Sequence, residues 1–111
     1  MSDLLERYVT FHNEGVRRRA FSSLLALFAP DAVMRFDGVA TGPFSGASAI
    51  AEAFRDDPPS DELELLDQLP ASNWAVYGWA KRPGMPAGEL RIAEQDGLIV
   101  ELLVSARTRR S

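Results

Sequence analysis

The chain has 111 residues, 46% of them hydrophobic and 25% charged, with a formal net charge of −4. Those values fit one globular domain that buries roughly two thirds of its unfolded surface, and they argue against a basic nucleic-acid binder. With no cysteine, disulfides and thiolate nucleophiles are excluded, and the single histidine argues against a protein-only zinc site.

No cofactor is expected, and the cysteine-free composition suits a reducing, cytoplasmic setting. The opening MSDLLER lacks the basic-then-apolar order of a secretion signal. The longest apolar runs fall far short of the ~20 residues that span a bilayer, so no membrane partner is expected. Two basic spots, Arg17 to Arg19 and Arg107, Arg109 and Arg110, read as a solvated helix junction and a tail. Neither has neighbouring aromatics on which bases would stack, and no nucleic-acid partner is expected.

In chain order, Ser2 is a candidate cap for a first helix that Gly15 closes. Leu5, Tyr8, Val9 and His12 share one face of it at i, i+3, i+4 and i+7. A second helix from about Arg17 repeats the spacing with Phe21, Leu24, Leu25 and Phe28, and Pro30 stops it. VMRFD then reads as a short strand and GVATGP as a loop. Ser45 is a plausible cap for a third helix through Ile50 and Phe54, which the prolines of RDDPPSD end.

After residue 60 the period changes from 3.6 to 2, giving strand candidates ELELLDQL, NWAVYGWAKR, GELRIAE and LIVELLVSA. Helices first and strands second predict an α+β fold, with residues 1–106 as one domain and 107–111 as a basic tail. A three-residue loop Gln95-Asp96-Gly97 pairs Ile92 with Val100 and Leu90 with Leu102. It sets Arg91 opposite Glu101, either as an exposed ion pair or as a polar pair facing a pocket. NWAVYGWAKR is apolar on both faces. A chain this short has no further layer to cover the second, so a homodimer through the sheet face is expected.

ERYVTFHNEG at 6–15, LLALFAPDAVMRFDG at 24–38 and GPFSGASAIAEAF at 42–54 carry a family likeness. Together with the element order, they resemble the nuclear transport factor 2-like superfamily, in its SnoaL-like and ketosteroid-isomerase-like branch. The resemblance spans nearly the whole chain. It implies a cystatin-like α+β roll: a cone-shaped, curved antiparallel sheet around three N-terminal helices, with a central pocket, usually in a dimer. It also implies a tyrosine on the first helix, an acid on a later strand and an aspartate ending the first strand. Tyr8 stands at the first position and Met85 at the second. The third falls on Phe36, one residue before Asp37, unless a bulge near Gly38 turns Asp37 inward.

Three functions stay open on these residues. The chain is a pocket protein for a small apolar or polycyclic molecule, with Met34, Phe36, Phe44, Phe54 and Trp74 as lining candidates. Alternatively it is an isomerase, cyclase or hydro-lyase working without metal through Tyr8, His12 and Asp37 as acid, base and orienting groups. The third possibility is a non-catalytic dimerisation module with a filled core.

Overall fold

The computed structural model describes residues 4–38, 40–68 and 73–106. Ser2 as a cap, the basic tail 107–111 and the last residue of the ELELLDQL strand, Leu69, lie outside the described residues. Among the described residues, three helices, α1 (Leu4–Arg18), α2 (Ser22–Leu25) and α3 (Ala47–Asp56), pack with six strands. The strands are β1 (Phe28–Asp37), β2 (Phe44–Ser45), β3 (Leu63–Gln68), β4 (Trp74–Trp79), β5 (Pro86–Gln95) and β6 (Leu98–Ala106). They form one curved, open sheet in the order β2-β1-β6-β5-β4-β3, and the fold is an α+β roll. Strands β3 to β6 pair antiparallel, whereas β1 joins β6 in parallel. The all-antiparallel expectation is corrected at that one pair. No helix among the described residues is long and apolar enough to cross a membrane.

Helix α1 follows its apolar period: Leu4, Leu5, Tyr8, Val9 and His12 are buried on one side. It does not stop at Gly15. It continues to Arg18, where Arg19 takes a left-handed φ of 58° and the Ala20 N–H returns to the Gly15 carbonyl at 3.1 Å. This is a Schellman-type ending with arginine where glycine is usual. Gly15 has another role, because a Cβ there would overlap the Phe21 ring.

The second helix is a single turn, and Pro30 does not end it. Phe28 already pairs with Ile99, and the register irregularity between Phe28 and Val33 takes in Pro30. A missing N–H is tolerated at such a bulge. Burial of Leu27, Phe28 and Ala29 against the sheet outweighs the helical period. Ser45 lies in β2 rather than capping α3, and Gly46 at φ 93° takes the cap position. Its N–H donates to the Ala32 carbonyl at 2.7 Å and ties α3 to β1.

The β5–β6 turn has two residues, not three. Asp96 and Gly97 adopt φ 55° and 81° between paired Gln95 and Leu98. Successive left-handed residues are what a tight primed hairpin turn requires. Continued without a break, that turn would set Glu101 against Ile92. A bulge between Ala93 and Glu94 absorbs one residue, so Ile92 faces Leu102 and Leu90 faces Val104. Arg91 therefore lies opposite Leu103, and Glu101 accepts from Arg35 of β1 at 2.7 Å. The expected Arg91–Glu101 pair does not form. The Arg35–Glu101 pair is exposed and contributes ~0–1 kcal/mol.

Candidate functional site

A cavity of about 390 Å³ opens between α1, α3 and the concave sheet face, within the ~300–1,000 Å³ usual for small-molecule sites. Its wall is mainly apolar: Met34, Phe36, Phe44, Phe54, Leu90 and Val104. Polar groups come from Tyr8 and His12 on α1, Tyr77 on β4, Thr41 on the loop, and Asp56 and Asp57 at the end of α3. Phe36 and Phe44 meet edge to face with centroids 6.3 Å apart, closing the side near residues 40–45.

Tyr8 and His12 stand one helical turn apart, their ring centroids separated by 6.2 Å. Tyr77 and Trp79 project from the same face of β4 with centroids 5.6 Å apart. Among the described residues neither the Tyr8 nor the Tyr77 hydroxyl has a hydrogen-bond partner, yet no unpartnered polar side-chain atom is sealed from solvent. Both hydroxyls therefore reach accessible space with their hydrogen-bonding capacity unspent. Burial raises the Tyr8 phenol far above its ordinary range, and the neighbouring Tyr77 phenol adds to this. Burial also raises Tyr77. Both are neutral donors at any ordinary pH.

Asn13 fixes the state of His12. Its Nδ2 donates to the Leu63 carbonyl at 2.9 Å, and its Oδ1 accepts from the Leu63 N–H at 2.7 Å. These two hydrogen bonds to one backbone residue set which way the amide points. The same Oδ1 lies 3.2 Å from His12 Nδ1. An amide oxygen only accepts, so Nδ1 carries the proton and Nε2 keeps its lone pair. Nε2 has no protein partner among the described residues and, like the phenols, reaches accessible space. Desolvation lowers the His12 pKa, while the Asn13 bond and the charge of Glu62 oppose the shift in part. The imidazole is a neutral base at pH 7.

Asp37 lies outside this cavity. Strand β1 runs without a break from Met34 to Asp37 beside Leu102 to Ser105. Strand alternation then puts Phe36 on the concave face and Asp37 on the other, where it is exposed. The bulge that would have turned it inward occurs earlier, before Val33. Trp74 is also outside, because β4 presents Tyr77 and Trp79 inward. The Trp74 indole N–H donates to Glu89 at 2.9 Å on the convex face. Tyr77, Trp79, Asp56 and Asp57 also line the cavity, and nothing in the local sequence marks them for it. Pairing Ala75 with Leu90 would have given the parity of β4, but that register is not written in the strand itself.

No family model and no curated protein matches the sequence. Solved structures do. An NTF2-like protein of unknown function from Burkholderia xenovorans aligns at TM-score 0.67 and 13% identity, over 98% of this chain and 88% of that one. A protein from Kribbella flavida, provisionally named a ketosteroid isomerase, aligns at 0.70 and 13% identity, over 99% and 82%. A provisional polyketide cyclase from Sinorhizobium meliloti aligns at 0.61 and 22% identity, over 94% of each chain. The chain has the NTF2-like fold. At these identities the likeness speaks for architecture, and function has to be argued from the cavity.

Proposed function

We propose that this protein, of the SnoaL-like and ketosteroid-isomerase-like kind, binds a small apolar, fused-ring molecule carrying a carbonyl oxygen. The observation that carries the reading is the pair of unpartnered phenol hydroxyls, Tyr8 and Tyr77, on a cavity wall that is mainly apolar. A ligand oxygen that accepts from them satisfies groups that are otherwise left to water. The test uses α-tetralone and its hydrocarbon analogue tetralin, followed by the indole N–H resonance of Trp79. Trp74, bonded to Glu89, is the internal control. Tyr8→Phe is expected to weaken α-tetralone about fivefold, one neutral hydrogen bond, and to leave tetralin unchanged. Equal effects on both ligands, or equal movement of both indoles, would contradict the assignment.

His12 favours a second, catalytic reading. Its Nε2 takes a proton from the carbon beside the carbonyl, a phenol donates to the developing enolate oxygen, and the proton returns to carbon. Only the neutral imidazole works as the base, so the rate falls as pH drops through the lowered His12 pKa. Loss of catalysed deuterium exchange into α-tetralone in His12→Gln is the expected result, and exchange that persists in that variant would exclude His12.

A second copy of the chain is the proposed partner at the convex sheet face. Trp74, Val76 and Leu103 lie there half-buried beside Arg91 and Glu89. Sedimentation equilibrium is expected to give twice 12.2 kDa, and a persistent monomer at high concentration would remove this part.

A further inference from the structure

A second cavity, of about 600 Å³, lies on the other side of Phe54 and Pro59, which are shared by both walls. It is bounded by the end of α1, by α2, by α3 and by the segment 58–60. Its floor is apolar, formed by Val16, Phe21, Leu25 and Phe54, and its two charged lining residues are Arg19 and Arg55.

The two cavities differ in the charge of their rims. Asp56 and Asp57 border the first, and no arginine or lysine is among its described lining residues. Arginines border the second, and no carboxylate is among its described lining residues. Arg19 holds a left-handed backbone, φ 58°, at a position where glycine is favoured. Its guanidinium has no ion-pair or hydrogen-bond partner among the described residues, although Arg17 two positions earlier is bonded to Glu62 at 2.8 Å. Arg55 lies 4.0 Å from Glu52 and 4.0 Å from Asp56, all three exposed. Contacts that long hold an exposed side chain only weakly, which leaves the guanidinium available to a ligand.

We propose that this second cavity binds a single-chain amphiphile with a carboxylate head. The chain lies on Phe21, Leu25 and Phe54, and the carboxylate meets Arg19 and Arg55, whose planar forks match its two oxygens. The first cavity, with Asp56 and Asp57 on its rim and no cation among its described lining residues, offers that head group no partner. One wall thus separates two sites that sort ligands by charge.

The test titrates the full chain with sodium decanoate below its micellar concentration, by calorimetry. Saturable one-to-one binding is expected. Arg19→Gly removes the guanidinium and suits the left-handed backbone, so the fold is retained while decanoate weakens about tenfold. Ala51 and Ala53 lie on the same helix but line the second and first cavities respectively. Ala51→Phe is therefore expected to abolish binding, and Ala53→Phe to leave it intact. The proposal is overturned by no saturable binding to the wild type, by an unchanged affinity in Arg19→Gly, or by loss in Ala53→Phe with retention in Ala51→Phe.

Discussion

Gly88→Val is expected to cost about 3 kcal/mol of folding stability or more, the upper end of what overpacking costs, because the clash is with backbone. Gly88 sits in β5 between Tyr77 of β4 and Ala106 of β6. Any Cβ built there overlaps the Ser105 carbonyl and comes within 3.0 Å of Tyr77 Cε1. The first contact is to backbone, so the β5–β6 pairing itself has to move. The second pushes Tyr77 into the cavity it lines. Urea denaturation followed by circular dichroism reads the loss. A midpoint equal to that of the wild type would mean the strands have slack that this geometry denies.

Asn13→Ala is expected to destabilise the fold by about 2–4 kcal/mol. Leu63 is 7% exposed, and both its N–H and its carbonyl are satisfied by the one Asn13 amide. Truncation leaves a nearly buried donor and acceptor without partners, each costing about 1–3 kcal/mol. Asn13→Asp separates the two bonds, since a carboxylate still accepts from the Leu63 N–H but donates nothing to its carbonyl. It is expected to lose less stability than alanine and to raise the His12 pKa by adding negative charge beside Nδ1. Equal stability of all three proteins would show that α1 and β3 do not depend on this clamp.

The parts of this account that could be read in the sequence are those set by local periodicity. Leu5, Tyr8, Val9 and His12 share a helical face because 3.6-residue spacing needs no distant partner. The four later strands show their period of two for the same reason. What could not be read depends on pairing. A bulge beside Glu94 turned an unfavourable two-residue hairpin into the observed register and sent Glu101 to Arg35. The parity of β1, fixed by its parallel pairing with β6, carried Asp37 to the convex face and kept Phe36 in the wall.

The site was half legible. The family resemblance points to Tyr8, helical spacing sets His12 one turn from it, and both line the cavity. Tyr77, their counterpart across it, sat in a strand apolar on both faces, where composition gives no parity. Asn13 gave no hint of its role because its partner, Leu63, is 50 residues away along the chain. The one-turn length of α2 was hidden likewise: the pull of β6 on Phe28 is a tertiary effect that the spacing of Leu24, Leu25 and Phe28 does not contain.

His12 also links the site to stability. Its folded pKa lies below its unfolded value near 6.5, so the unfolded chain binds more protons between the two. Stability is therefore fully present above about pH 6.5 and declines as pH falls toward the lowered folded value. The chain has a single histidine, so one imidazole spin system reports its ionisation and its tautomer without assignment ambiguity.

A nitrogen-15 NMR titration of that imidazole is the most direct measurement of whether a neutral base, held in one tautomer, faces the cavity. A pKa below 6.5 is expected, with a protonated Nδ1 and a bare Nε2 at pH 7. A pKa at or above the ordinary value, together with the proton on Nε2, would contradict it.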